Sequence, residues 1–371
     1  MYRTLISIML VFLLQLPVLA DNECIDNLAE CKQKAVKYFQ DGKYQDSKKI
    51  WEEIQTHAIK ISNIKLKAEC LKGLGNIQKE QKDYSQAIKL YEEAKQLASN
   101  YKCKKCSILE ADCTYNICDT LLRQNIDEYE NISCIEKLRK LAAFYNSQKD
   151  YLGEIQCYDR IGSYYLETAD YNNAEKAYLT ANQLLKKEEN NNSGFEFYRM
   201  LIINTYNKLF CKYKKNQSDL NLRLIADELL SLKKEIEITE NDYPLFTVKS
   251  KLLNVLGRIY FDLGNYYEAK KYFNDSNDLT SDDETKIDNE IGLSEIALNE
   301  SDFDKAKSLL NKLISKFDKI EDKNITTEKL KSALLGTVGN YYYVKKDYNK
   351  AFESYLEALD IQNKYVLVEY I

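Results

Sequence analysis

The sequence is poor in residues that interrupt helices and in the residue most used for acid–base catalysis. Its 371 residues include 2 prolines, 11 glycines and 1 histidine, His57. So few turn-forming residues argue against a protein of this size built from strands and tight turns. A single imidazole excludes most mechanisms that place a histidine beside a second reacting group or a metal. We therefore expect an all-α fold and no enzymatic activity.

An excess of basic charge is also missing. The chain has 53 Lys and Arg residues against 58 Asp and Glu residues, a formal net charge of −5. Proteins that bind nucleic acid or anionic lipid generally present a basic surface. We therefore expect no nucleic-acid partner. The sequence shows no cofactor motif and no paired nucleophile and base, so we expect neither a cofactor nor a metal site.

One apolar segment at the N-terminus resembles a targeting sequence. Residues 4–16 follow Arg3 and are apolar except for Ser7 and Gln15, and a small residue, Ala20, ends the segment. The run is shorter than the ~20 residues of a membrane-spanning helix. We predict a secretory signal over residues 1–20 that is cleaved after Ala20. The mature chain, residues 21–371, is then expected in a periplasm or secretory lumen, without membrane insertion after cleavage.

The ten cysteines all lie within residues 24–211. In an oxidising compartment an even number of cysteines favours disulfide bonds, with buried thiols or a zinc site as alternatives. Cys24 and Cys31 lie on one helical face two turns apart, so they cannot bond to each other within an unbroken helix. The disulfide candidates are Cys24, Cys31, Cys70, Cys103, Cys106, Cys113, Cys118, Cys134, Cys157 and Cys211.

A short pattern recurs along the chain. It consists of a small residue, an aromatic three residues later, a turn, a second aromatic, an alanine and a third aromatic. The clearest copy contains Gly257, Tyr260, Tyr266, Ala269 and Phe273. Three further copies begin at Gly75, Gly162 and Gly339, and weaker copies begin at Ala35 and Ser294.

These residues make the chain resemble the tetratricopeptide-repeat family over essentially all of residues 21–371. The resemblance implies a right-handed α-solenoid of about seven or eight antiparallel helix pairs, in which aromatic residues fill the space between repeats. The spacing departs from the family. Ala269 and Ala306 are 37 residues apart and Ala306 and Ala351 are 45 apart, against about 34 in the standard unit.

The resemblance also implies a mode of action. Members of the family bind a peptide or protein partner in the concave groove lined by the first helix of each pair. One variant clamps a terminal carboxylate with lysine, asparagine and arginine side chains, and the alignment places Lys72, Asn76, Asn116 and Arg160 at those positions, with Gln156 where a lysine is expected. The alternative is that these are solvated polar residues. In either case Lys72 and Arg160 could receive an anionic group.

The sequence thus favours an exported, non-catalytic scaffold that binds a protein or peptide partner. The alternative is a ligand-sensing or structural subunit of an exported or envelope complex that docks through the cysteine-rich region. The apolar C-terminal segment, residues 365–371, is unusual for the end of a solenoid, which is normally polar. We expect it to be covered by a partner, by self-association or by further chain.

Overall fold

The structure, a computed structural model, describes residues 27–101, 104–124, 127–188, 195–215, 218–239, 245–319 and 325–370. Within these ranges the chain forms sixteen α-helices and no strand. The predicted all-α fold is confirmed. The predicted signal segment, residues 1–20, lies outside the described residues, and so do Cys24 and Cys103.

The helices follow one another as eight pairs. We call the odd-numbered helices first helices and the even-numbered helices second helices. They are α1 (Leu28–Gln40), α2 (Tyr44–Lys60), α3 (Ile64–Glu80), α4 (Tyr84–Ser99), α5 (Lys104–Gln124), α6 (Glu128–Gln148), α7 (Tyr151–Glu167), α8 (Tyr171–Glu188), α9 (Phe195–Lys215), α10 (Asp219–Thr239), α11 (Phe246–Asp262), α12 (Tyr266–Leu279), α13 (Asp283–Asn299), α14 (Phe303–Phe317), α15 (Ile325–Val344) and α16 (Tyr348–Tyr370).

The chain divides into two compact units, Met1–Gln148 and Lys149–Ile371. In each unit every helix packs against the next one along the chain. The first helices also contact each other: α3 contacts α5 in the first unit, and α9, α11, α13 and α15 contact one another in that order in the second. This is the packing of an α-solenoid, in which a helix pair leaves an apolar face that the next pair buries.

Aspartate and asparagine side chains replace proline as the residues that delimit the helices. A carboxylate or amide oxygen at the start of many helices accepts a hydrogen bond from the backbone N–H three residues later. At most of these caps the preceding residue has a positive φ, which turns the chain sharply after the previous helix. The capping residues include Asn63, Asp83, Asp150, Asn265, Asp282 and Asp302.

Aromatic side chains from the second helices pack directly on glycines of the first helices. Phe273 of α12 is fully buried and lies between Gly257 of α11 and Gly292 of α13. A Cβ atom added to Gly257 would lie 2.6 Å from a ring carbon of Phe273, and one added to Gly292 would lie 2.5 Å from another ring carbon. Real Cβ atoms do not approach carbon so closely, so these glycines are required by the packing.

We predict that Gly257→Ala destabilises the second unit by about 1–3 kcal/mol, because the ring of Phe273 must move to admit the methyl group. Gly336→Ala is the matched control, since a Cβ at Gly336 would meet no atom within 4 Å. That variant should gain about 0.5–1 kcal/mol of helix stability. Urea unfolding followed by circular dichroism measures both, and a loss of stability in both variants would contradict the assignment.

Candidate functional site

In the first unit, polar side chains connect the first helices α3 and α5 at regular intervals. Lys72 Nζ lies 2.7 Å from Asp112 Oδ2, and the amide of Asn116 donates to Asn76 Oδ1 over 3.4 Å. One turn further on, Lys79 pairs with an aspartate of α5. These positions recur every three or four residues along both helices, so they line a single face of the α3–α5 pair.

Asp119 is the most deeply buried charged group of this set. It accepts hydrogen bonds from Lys79 Nζ at 2.8 Å and from Arg123 Nε at 3.1 Å. Only 4% of its side chain is exposed, and 11% of Lys79. A charge buried to this degree is stable only when it is paired and hydrogen-bonded. Lys79 therefore holds α3 against α5, while Arg123 pairs with Asp119 within α5, and the charge of Asp119 is compensated within the protein.

In the second unit a larger polar network crosses three first helices. Arg258 of α11 donates to Asp288 Oδ1 and to Glu295 Oε2 of α13, both at 2.6 Å. Glu295 also accepts a hydrogen bond from the hydroxyl of Thr337 on α15 at 3.3 Å. Asn254 donates to Asp288 at 2.7 Å. We call these five residues the α11–α13–α15 network.

The network keeps its charges at neutral pH. Burial alone would lower the pKa of Arg258, but Asp288 and Glu295 outweigh it and raise that pKa above its ordinary value. Burial alone would raise the pKa of Asp288, but Arg258 and Asn254 outweigh it and hold that pKa below its ordinary value. The guanidinium carbon of Arg258 also lies 5.5 Å from the ring centre of Phe273, a cation–π contact.

The network is accessible to solvent. The exposed side-chain fraction is 19% for Arg258, 27% for Asp288 and 24% for Glu295. Within these five residues two carboxylates face one guanidinium, an excess of one negative charge, and Lys214 adds a positive charge near Asp288. A ligand on this face would meet carboxylate and amide oxygens that are already fixed in position by hydrogen bonds.

Three segments of the chain match a family model, that of the tetratricopeptide repeat: residues 68–101, 155–184 and 250–283. They fall on the helix pairs α3–α4, α7–α8 and α11–α12. The chain contains tetratricopeptide repeats. Gly257 and Phe273 therefore belong to a repeat that is recognised by sequence alone, and Gly292 lies beyond the matched segment.

Solved structures share this tetratricopeptide-like fold. Aspartyl phosphate phosphatase F from Bacillus subtilis has a TM-score of 0.59 at 14% identity and covers 91% of this chain and 94% of its own. The apo form of the quorum sensor NprR from B. thuringiensis has a TM-score of 0.59 at 15% identity, and the match covers 91% of this chain and 99% of the NprR chain. NprR in complex with its cognate peptide NprX has a TM-score of 0.55 at 16% identity, and the match covers 93% of this chain and 99% of the NprR chain. No curated protein matches the chain in sequence.

The structure brings together three of the four residues that sequence comparison places in a clamp. Lys72, Asn76 and Asn116 lie on one face of the first unit, where Lys72 is paired with Asp112. Arg160 belongs to the second unit, is 5% exposed and pairs with Glu167 over 3.2 Å. Binding of an anionic group by these residues stays a prediction.

Sequence reasoning missed the α11–α13–α15 network. Arg258 directly follows Gly257 of the clearest repeat copy, and Asp288 and Glu295 are seven residues apart, which places them on one helical face. Those two patterns could have identified the network. Which residues of neighbouring first helices contact each other could not be predicted from the sequence, because the spacing of the repeats in this chain is irregular.

The cysteines that the structure describes are interior residues of the helix pairs. Cys31 and Cys106 each take part in a disulfide bond. Cys70, Cys113, Cys118, Cys134, Cys157 and Cys211 are buried thiols, which is the alternative to disulfides at these positions. Burial raises the pKa of Cys70, of Cys113 and of Cys211 to about 12, so these groups are protonated at neutral pH and are poor nucleophiles and metal ligands.

Two further searches of the described residues concern membranes and metals. None of the helices in the described ranges is long and apolar enough to cross a membrane. No group of three or more histidine, cysteine, aspartate or glutamate side chains in those ranges is arranged to hold a metal ion.

We predict that Asp119→Asn destabilises the first unit by about 3 kcal/mol or more, because it leaves Lys79 buried without its charge partner. Glu93→Gln is the control: Glu93 pairs with Lys67 at 3.1 Å and is 47% exposed, so its loss should cost less than ~1 kcal/mol. Denaturant unfolding of the two variants measures both values. Equal destabilisation would show that Asp119 does not hold the helices together.

Proposed function

We propose that the chain is a non-catalytic scaffold that binds a peptide or an extended protein segment on the first-helix face of its second unit. The observation that carries the proposal is the α11–α13–α15 network. It presents charged and amide groups, partly exposed, on two neighbouring first helices, α11 and α13, and the buried hydroxyl of Thr337 joins it to α15. In a tetratricopeptide solenoid such a face is the concave binding surface.

The comparison with NprR supports this proposal, because a protein of the same fold was crystallised with its cognate peptide. The charge of the network indicates what kind of peptide fits. Asp288 and Glu295 together outweigh Arg258 by one negative charge. A lysine or arginine side chain placed beside Glu295 would form a charge-assisted hydrogen bond and neutralise that excess. We therefore propose that the preferred ligand carries a basic residue.

A docking role for the cysteine-rich region has less support. Eight of the ten cysteines are described by the structure, and all eight side chains are buried. Buried side chains offer a partner no surface to bind. The proposed binding surface for this reason lies on the first helices of the second unit rather than among the cysteines.

We further propose that the chain acts outside the cytoplasm after cleavage behind Ala20. The support is the short apolar run of residues 4–16, followed by Ala20 and an acidic segment. Recovery of the chain from its own cells with residues 1–20 intact would overturn this part of the proposal, and peptide mapping by mass spectrometry reads the N-terminus directly.

The peptide-binding proposal is tested by selecting ligands from a random peptide library displayed on phage. We expect the enriched peptides to contain lysine or arginine. Fluorescence polarisation then compares Glu295→Gln with Asp304→Asn, which removes one negative charge from an exposed position on the second helix α14. We expect Glu295→Gln to weaken binding about tenfold and Asp304→Asn to leave it unchanged. Equal affinities, or no enriched peptide, would contradict the proposal.

A further inference from the structure

One lysine of the second unit lacks the ion pair that its neighbours on the same helix form. Lys214 is on α9, and its side chain is exposed. Within the described ranges its ammonium group forms no ion pair and no hydrogen bond. Lys212 and Lys215, by contrast, pair with Glu228 at 2.8 Å and with Glu175 at 2.6 Å. The ammonium donors of Lys214 are therefore left to water or to a ligand.

Aromatic rings border this ammonium group. Lys214 Nζ lies 5.3 Å from the ring centre of Phe210 and 5.3 Å from that of Tyr213. The ring centre of Tyr206, one turn before Phe210 on α9, lies 6.2 Å from that of Phe210. Aromatic rings at such distances attract a cation through its charge. They therefore hold the lysine in place and leave its hydrogen-bond donors unused.

Lys214 lies in a groove that it shares with the α11–α13–α15 network. The surrounding protein is the largest cause that lowers the pKa of Lys214, although the side chain is exposed. A group that is partly desolvated and still reached by water lies in a concave part of the surface. Among neighbouring charges, Asp288 of α13 has the largest effect on this pKa, and Lys329 of α15 also acts on it. Charges on two further first helices thus surround a residue of α9.

The acidic groups nearest to Lys214 already have hydrogen-bond donors. Asp288 accepts hydrogen bonds from Arg258 and Asn254. Asp262 of α11 accepts one from the hydroxyl of Tyr213 at 3.0 Å. Neither carboxylate can turn to Lys214 without giving up a hydrogen bond that it now makes. Lys214 is therefore a cation that a carboxylate from outside the protein can neutralise.

We infer that Lys214 is a second subsite of the proposed binding surface and receives a carboxylate of the bound peptide. This inference rests on the proposed function, because it places a second group of the same ligand on the same face. Phe210 and Tyr213 border the subsite and exclude part of the water around it. A charge-assisted hydrogen bond between ammonium and carboxylate is strong in such a setting. The preferred ligand then carries an acidic group as well as a basic residue.

The two subsites are far enough apart for one peptide to fill both. Asp288, the acidic residue that acts most on Lys214, precedes Glu295 by two turns of α13, about 10 Å along the helix axis. An extended peptide spans that distance with about three residues. The carboxylate at Lys214 and the basic side chain at Glu295 therefore come from different residues of the ligand.

The probe for this inference is the most enriched peptide of the library, made synthetically and measured by fluorescence polarisation with the full chain. One form has a free C-terminus and one is amidated, and further forms replace each Asp by Asn and each Glu by Gln. We expect the loss of one carboxylate to weaken binding about tenfold. The amidated form identifies a terminal carboxylate as the source, and the other forms identify a side chain.

Variants of the protein assign that carboxylate to Lys214. Lys214→Gln should weaken binding about tenfold and remove the difference between the peptides with and without the carboxylate, whereas Lys214→Arg should keep it. Lys271→Gln is the control. Lys271 is 55% exposed and lies 5.6 Å from the ring centre of Tyr272 on the second helix α12, so its loss should leave the affinity unchanged. Circular dichroism checks that every variant is folded.

Failure of this inference differs from failure of the proposed function. If Lys214→Gln binds as the wild type does while Glu295→Gln weakens binding, the carboxylate subsite is overturned and the binding surface stands. If Lys214→Gln weakens the peptides with and without the carboxylate equally, the subsite is also overturned, because the lysine then acts on the fold of the groove. If no peptide binds, both the proposed function and this inference are contradicted.

Discussion

The close contact between an aromatic ring and a glycine of a neighbouring helix is the constraint on which this structure depends. Phe273 between Gly257 and Gly292 shows it most fully, and Trp51 on Gly73 repeats it in the first unit. Because no side chain separates ring and backbone, the two helices cannot slide past each other without a clash. Helix position is then fixed closely enough for polar side chains on the first helices to meet.

The polar contacts follow from that fixed spacing. Lys79 reaches Asp119 and Arg258 reaches Asp288 and Glu295 because the first helices lie side by side at a set register. The two sets differ in exposure. Asp119 is almost fully buried, so its pairing serves the cohesion of the first unit. Asp288 and Glu295 are about one quarter exposed and carry excess charge, so they can hold the helices together and still contact a ligand.

The sequence predicted the fold well, because the repeat pattern reports packing directly. Gly257, Ala269 and Phe273 are the residues that make the helix–helix contacts, and their spacing is visible without a structure. The proposed binding face was harder to predict from the sequence. The residues aligned to a carboxylate clamp include Lys72, which forms an ion pair with Asp112. The two residues are 40 positions apart in the sequence, and they meet only because α3 and α5 pack in one particular register. The irregular repeat lengths conceal that register.

Hydrogen–deuterium exchange with a library-selected basic peptide tests the central claim most directly, namely that ligands bind across the first helices of the second unit. The account predicts slower amide exchange in α11, α13 and α15 on peptide addition, with α12 and α14 unchanged. Protection confined to the second helices, or to the first unit, would contradict it, because the α11–α13–α15 network would then be an internal brace and not a binding surface.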